Sequence, residues 1–439
     1  MIKSMGKTRS ILQTKYTQLR QTILLRMQNR RFWRDSSLLM LANAIVVALG
    51  LVRTPLMTWI LPKSEVGMLG VVASWLPFIQ LLSLPGLDNA TYHYVAKGKP
   101  AAFFVNLLYR LRWSLLSSLC FMLGAIYWFW RGDVPLAWMF IITGISYPVT
   151  IGMTASAGML GAQERFKGLF WYRIFESLTD FTGFIPLAFS AWWISRVVTF
   201  YSGNQLATAI QQAGVSFFLA WQMKRLGVPR LPKEDEQELV RYGKHLTAIA
   251  GIGAFQARTD ALLVGAILSL ETMADYSIAL ILYEQFRRLW IVYLTIRYPP
   301  LVKLPVARRR YRMIREGAVV WLGFTGLGFF VSILVHILVP ILLPSSYNKS
   351  ASYMDWLITI FVVSIPGFFA ETYFRTEQNE KRQYLMRIAA AIVGVAAPAL
   401  LVFRWGAYGA LAGRLVASII LSLFGIWLFF KDKPQALSG

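Results

Sequence analysis

Residues 37–60 read SLLMLANAIVVALGLVRTPLMTWI, twenty-four residues with one charge, Arg53. The hydrocarbon core of a bilayer is about 30 Å thick and is crossed by roughly 20 predominantly apolar residues in helical form. This stretch therefore reads as a membrane-spanning helix. Working outward, comparable stretches recur at about 66–86, 112–130, 134–157, 172–193, 204–222, 246–268, 276–297, 318–343, 354–373, 386–403 and 408–430. The fifth and sixth are the least apolar: one carries Arg173, Glu176 and Asp180, the other Ser202, Asn204, Gln205, Gln211 and Gln212. Only 15% of the 439 residues are charged while 56% are hydrophobic. A water-soluble surface needs about 25% charge, so the apolar excess must face lipid.

The basic residues test the helix count independently, because Lys and Arg concentrate in cytoplasmic loops. With twelve crossings and an N-terminus inside, 34 of the 45 basic residues fall in inner segments and 5 (Lys63, Arg131, Arg196, Lys349, Arg404) in outer loops. A missing or extra helix would scramble that alternation. The formal charge of +24 therefore reflects membrane topology, and no nucleic-acid partner is read from it. Before the first crossing, Leu12, Tyr16, Leu19, Ile23 and Met27 recur at steps of three and four between basic residues. That spacing predicts a basic amphipathic helix on the anionic inner leaflet.

The longest polar stretch between crossings, about 224–245, divides the chain into six crossings before and six after. Sliding one half onto the other by 207 residues places Ile60–Leu61 on Ile267–Leu268 and Leu69 on Tyr276. Both windows lie where the chain turns between the first and second crossing of its half. Parallel repeats of this kind are common in secondary transporters, with the substrate path between the halves. The expected fold is an all-α integral membrane protein of about twelve transmembrane helices in two six-helix lobes, a parallel pseudo-repeat. Its parts are a basic cytoplasmic segment (1–35), an N-lobe (36–223), a cytoplasmic linker (224–245), a C-lobe (246–430) and a cytoplasmic tail (431–439). Both termini are expected in the cytoplasm.

Enzyme signatures are missing: no phosphate-cradling glycine loop, no HExxH and no paired-cysteine spacing. His93, His245 and His336 are far apart in sequence, and Cys120 stands alone. No cofactor or metal is expected. The informative residues are charges within the crossings, which are costly and tend to face a cavity. The basic ones are Arg53, Arg173, Arg258, Arg287, Arg288 and Arg414, all arginine although 15 of the 45 basic residues are lysine. A forked, permanently charged donor suits phosphate or carboxylate. Arg53, Arg173 and Arg414 lie nearer crossing ends, where a long side chain can also reach the interface. Arg258 is roughly 18 Å deep at 1.5 Å per residue.

Acidic partners balance them. Arg173, Glu176 and Asp180 share a helix face, and Glu284 precedes Arg287 and Arg288 by three and four residues. Asp260, two residues from Arg258, points to nearly the opposite side and needs another partner; Glu371 is the fifth intramembrane acid. These groups read either as ion pairs between helices or as a charge-balanced cavity for an anionic head group, with one carboxylate taking up a coupling proton.

The segment Gly86-Leu87-Asp88-Asn89-Ala90-Thr91-Tyr92-His93-Tyr94-Val95-Ala96 resembles the GL…A…RYVA signature of polysaccharide and oligosaccharide-lipid flippases, with His93 where that signature often has Arg. Tyr242-Gly243-Lys244-His245 through Asp260, Gly265 and Asp275-Tyr276-Ser277-Ile278-Ala279 resemble the same family's YGKPL…D…LLG…VGLYSIA pattern. The resemblance covers about residues 36–430, within the multidrug/oligosaccharidyl-lipid/polysaccharide exporter superfamily. It implies a flippase moving a lipid-linked (polyprenyl-pyrophosphate) oligosaccharide from the inner to the outer leaflet of a bacterial inner membrane for polysaccharide export. It implies membrane lipids and polysaccharide polymerase or assembly proteins as partners. Carried onto this chain, it makes Arg53 and Arg258 the phosphate-binding candidates and Asp260 the family's acidic position. Arg287 and Arg288 join them by depth, Arg173 by its acidic neighbours. A cation-coupled multidrug antiporter of the same superfamily would have carboxylates dominating the cavity. A membrane glycosyl polymerase or ligase would need a larger outer loop than the ten or so residues available here.

Overall fold

The computed structural model describes residues 37–188, 195–302, 306–377 and 380–431; the amphipathic segment 1–35 and nearly all of the tail lie outside them. The apolar runs form helices because a backbone in lipid must satisfy its own hydrogen bonds. Among the described residues every element is helical: α1 (Ser37–Ile60), α2 (Lys63–Ile79), α3 (Gly86–Ala96), α4 (Ala102–Trp130), α5 (Val134–Thr150), α6 (Ala155–Ala162) and α7 (Phe166–Thr179). They continue with α8 (Phe184–Ala188), α9 (Arg196–Arg225), α10 (Lys233–Ile267), α11 (Leu270–Val302), α12 (Val306–Leu342), α13 (Asn348–Thr376) and α14 (Glu380–Lys431). Gly406 (φ 59°, ψ −136°) breaks α14 into two crossings. The α5–α6 and α7–α8 pairs each occupy one expected crossing.

Two boundaries differ from the sequence expectation. The linker 224–245 is mostly helix: α10 starts at Lys233 after Pro232, with Glu234, Asp235 and Glu236 in its first turn. Acidic residues there complement the N-terminal end of the helix dipole, so the polar run extends the helix rather than forming a loop. Likewise α4 starts at Ala102, ten residues before its apolar run. Arg110, assigned to an inner loop, is fully buried in it and pairs with Asp88 of α3.

The repeat is visible in the helix ends. Ile60 closes α1 and Ile267 closes α10; Lys63 opens α2 and Leu270 opens α11. Both pairs are 207 residues apart, the offset found in sequence. α2 packs along α11, and α3 and α2 pack along α10, so these helices form the seam between the halves. Away from the seam, α4 packs on α5 and α5 on α9; in the second half α13 packs on α14 and α12, and α14 on α10. Each half has an aromatic core, Phe121–Phe140–Tyr147 in one and Phe286–Trp290–Phe324–Phe361 in the other. Side chains such as Phe329, Leu400 and Phe403 are more than 70% exposed, as lipid-facing positions require.

Among the described residues, seven helices are long and apolar enough to cross a membrane, including the two-crossing α14. The crossings outside that group are α7–α8, α9, α10 and α11. Three of these four carry Arg173, Glu176, Asp180, Arg258, Glu284, Arg287 and Arg288. Their weak apolarity marks the helices that build the site.

Candidate functional site

The seam is closed at two levels. At the end expected to be outer, Lys63 Nζ lies 2.7 Å from Asp275 Oδ2 and also donates to the Ser346 carbonyl. Ser350 Oγ donates to Asp275 Oδ1 at 3.2 Å. Asp275 is only 3% exposed, so this clasp supplies the buried carboxylate with its partners. Just below it, α2 and α11 touch at backbone: a Cβ on Gly67 would lie 1.9 Å from the Leu270 carbonyl oxygen. At the other end α3 presses on α10. Gly86 N donates to Thr247 Oγ1 at 3.0 Å, and a Cβ on Gly86 would lie 2.3 Å from Thr247 N. Lys99 Nζ bonds both oxygens of Asp235 at 2.7 Å.

Between these contacts lies a 340 Å³ cavity lined from both halves, with Arg53, Asp180, Arg258 and Glu284 in its wall. Arg53 Nη1 is 3.5 Å from Asp180 Oδ2, and its Nε is buried without a hydrogen-bond partner. Arg258 Nη2 donates to Glu284 Oε1 at 2.6 Å. Arg287 donates through Nε to Glu284 Oε2 at 2.9 Å. Arg288 interacts electrostatically with Glu284, Glu176 and Arg173. Ion pairs join five of the nine candidate site residues, Arg53 with Asp180 and both Arg258 and Arg287 with Glu284; Arg173, Glu176 and Arg288 lie within electrostatic reach of them. With all ionised, the five arginines and three carboxylates (Glu176, Asp180, Glu284) leave a net charge of +2.

Asp260 is the exception. It is 2% exposed and does not line the cavity; Arg414 Nη1 donates to its Oδ2 at 2.7 Å, and Tyr276 donates to the same oxygen. This is the separate partner that the helix spacing required, and it is Arg414, an arginine that could equally have reached the interface. The pair ties α10 to α14. Glu371 is likewise held by Arg387.

Uncharged polar residues of α9 also line the cavity: Asn204 and Gln205, which dilute the sixth crossing, and with them Tyr201 and Thr208. Their spacing of three, four and seven residues from Tyr201 was the available signal, since it places them on one helix face. Ser146 and Tyr201 hold the Gln205 amide at 3.2 and 2.8 Å. A larger cleft of 770 Å³ lies elsewhere, between α6, α7 and α9, walled mainly by aromatic and aliphatic side chains such as Trp171, Phe175 and Phe218. A third concavity bears on the cavity: an apolar groove of 590 Å³ runs between α1, α11 and α12, and its one charged wall residue is Arg288.

Residues 32–304, more than half of the chain, match the model of the family described as "Polysaccharide biosynthesis protein". The chain belongs to that family. No curated protein sequence matches this polysaccharide biosynthesis family member. Among solved structures it is similar to an inward-facing multidrug resistance MATE family transporter of the MOP superfamily (TM-score 0.67, 13% identity, covering 88% of this chain and 94% of that one). It is also similar to the lipid II flippase MurJ in an inward closed conformation (TM-score 0.64, 12% identity, 90% and 87%). A third is a MOP superfamily transporter from Pyrococcus furiosus, described as having a binding pocket of reverse polarity (TM-score 0.53, 14% identity, 92% and 96%). At these identities the likeness is one of fold, and that fold is the twelve-helix membrane transporter architecture expected from the sequence.

Proposed function

We propose that this family member is a flippase. It would carry a lipid-linked oligosaccharide, joined through a pyrophosphate to a polyprenyl chain, from the inner to the outer leaflet of a bacterial inner membrane by alternating access. The observation that carries this reading is the shared cavity lined by Arg53 from one half and Arg258 from the other, set within a cluster of five arginines and three carboxylates. A pyrophosphate diester bears two negative charges and several acceptor oxygens, and forked guanidinium donors match it in charge and geometry. The apolar groove supports the same reading: a polyprenyl tail lies along α1, α11 and α12 in contact with lipid while the head group reaches the cavity past Arg288. Transport of this kind makes and breaks no covalent bond, in keeping with outer connections of a few residues at 131–133, 268–269 and 343–347.

Both termini lie in the cytoplasm in this reading, on the side holding 34 of the basic residues. Polysaccharide polymerase and assembly proteins receive the exported unit. A cation-coupled multidrug antiporter is the competing reading, and its cavity needs a net negative charge. Mass spectrometry of lipids co-purifying with the solubilised protein separates the two. A polyprenyl-pyrophosphate sugar, lost in an Arg53→Ala/Arg258→Ala protein, is the expected result. Bulk phospholipid alone, with proton-driven dye efflux in vesicles, replaces the flippase with the antiporter.

A further inference from the structure

A second polar cleft lies on the cytoplasmic side of the seam, away from the central cavity. It has a volume of 520 Å³, and its wall includes His93 of α3, Lys97 just past its end, and Arg241, Tyr242 and His245 of α10. All five side chains are exposed. The His93 and Tyr242 rings stand 6.2 Å apart across the seam. His245 is held from outside by the Tyr384 hydroxyl of α14 at 3.0 Å.

The charge balance here differs from that of the neighbouring cations. Lys99 is matched by Asp235 and Arg110 by Asp88. Lys97 and Arg241 form no ion pair among the described residues. One carboxylate, Glu238, lines the cleft beside Tyr94: burial first, then Glu238, push the Tyr94 hydroxyl up to about 12. Tyr94 therefore keeps its proton beside Glu238. What remains is a set of donors from both halves, two cations with two imidazoles and a phenol, turned into a space open to the cytoplasm. Like charges gathered in one cleft repel each other unless an anion lies between them. The group that meets two cations and several neutral donors at once is one with several anionic oxygens on a small centre, which is phosphate chemistry.

We propose that this cleft is a phosphoryl-binding site at the cytoplasmic mouth, held by Lys97 and Arg241 with His93, His245 and Tyr242 as further donors. Its volume admits a phosphate ester or diphosphate together with part of its substituent. The phosphoryl group comes either from the head of a lipid-linked substrate, docked before it passes between α3 and α10, or from a soluble phosphate compound. The first source rests on the flippase reading; the site itself does not.

The test uses the full chain in phosphatidylcholine nanodiscs titrated with inorganic pyrophosphate. Lys97→Ala/Arg241→Ala is expected to weaken pyrophosphate binding at least about tenfold, as loss of charge-assisted hydrogen bonds requires. Lys224→Ala, which removes an exposed cation outside the cleft, should retain this binding. Lys97→Arg/Arg241→Lys should restore most of the affinity, and unchanged thermal unfolding shows that the alanine protein is folded. Wild-type pyrophosphate affinity in the alanine double variant overturns the site and leaves the flippase reading standing. Nanodiscs doped with a polyprenyl diphosphate distinguish the sources: competition with pyrophosphate identifies the lipid head group, and its absence a soluble phosphate. Loss of polyprenyl-diphosphate transport in neither the cleft nor the cavity variants would instead sink the flippase reading while the pyrophosphate site stands.

Discussion

Replacing Arg258 with alanine removes the most deeply placed cavity cation without breaking the fold around it. Glu284 accepts from Arg258 at 2.6 Å but also from Arg287 at 2.8 Å. Its carboxylate keeps a partner in the variant, and the loss typical of an orphaned buried charge is avoided. Arg258 engages Glu284 through Nη2 alone, so Nη1 and Nε are free to donate to a substrate phosphate. Charge-assisted hydrogen bonds contribute about 1.5–3 kcal/mol, which corresponds to roughly 10- to 150-fold in affinity. The charge of the arginine–carboxylate cluster falls at the same time from +2 to +1. The assay is reconstitution into vesicles carrying a fluorescent lipid-linked oligosaccharide, with the flipped fraction read by glycosidase accessibility at matched protein abundance. Initial rates at subsaturating substrate should fall by that factor. Arg258→Lys should recover only part of the loss, because lysine keeps the charge but not the fork. A wild-type rate in a correctly inserted Arg258→Ala protein refutes the phosphate-binding role.

Three further outcomes follow from the seam and from the Asp260 pair. Lys63→Ala leaves Asp275 short of its cation and should favour the outward-open state; a Ser74→Cys probe in a Cys120→Ala background should label faster from outside, and Lys63→Asp/Asp275→Lys should reverse this. Gly67→Leu cannot keep α2 on the Leu270 carbonyl and should open the outer side, whereas Gly86→Leu should open the inner side. The same probe should then react from opposite faces in the two proteins, and identical labelling would contradict the two-gate reading. Arg414→Ala strands a buried carboxylate and should cost about 3–5 kcal/mol in unfolding measurements, while an Asp260→Leu/Arg414→Leu protein should lose much less; equal losses would mean that the pair contributes packing rather than charge compensation.

Most of the architecture was legible in sequence because lipid imposes a simple rule. Crossing helices must be apolar and about 20 residues long, and loop charge repeats the same information independently. The 207-residue offset was a faint match in residues such as Ile60 and Ile267, yet it coincides with the helix ends because those positions face the same turn in each half. Where the rule was diluted, the boundaries moved: Lys233 to His245 are mostly polar yet helical, with Leu239 and Val240 buried against α3. Arg110 looked like a loop cation because nothing in the local pattern reveals that Asp88, on another helix, neutralises it.

The site divides along the same line. Sequence alone determined that charges sit in the membrane, that they are arginines, and that Glu176, Asp180 and Glu284 share helix faces with some of them, because helical periodicity fixes neighbours three and four residues apart. Tertiary structure decided which charges meet across helices. It joined Arg53 to Asp180 and Arg258 to Glu284, withdrew Asp260 into a pair with Arg414, and brought Lys63 to Asp275 over 212 positions of chain. Pairing between helices depends on how each helix is rotated and how deep it sits, and those are set by packing at glycines such as Gly67 and Gly86, where backbones touch. No period in the sequence encodes that rotation, so the arginines were readable as composition, and only the fold brought Arg53 and Arg258 into the wall of one cavity.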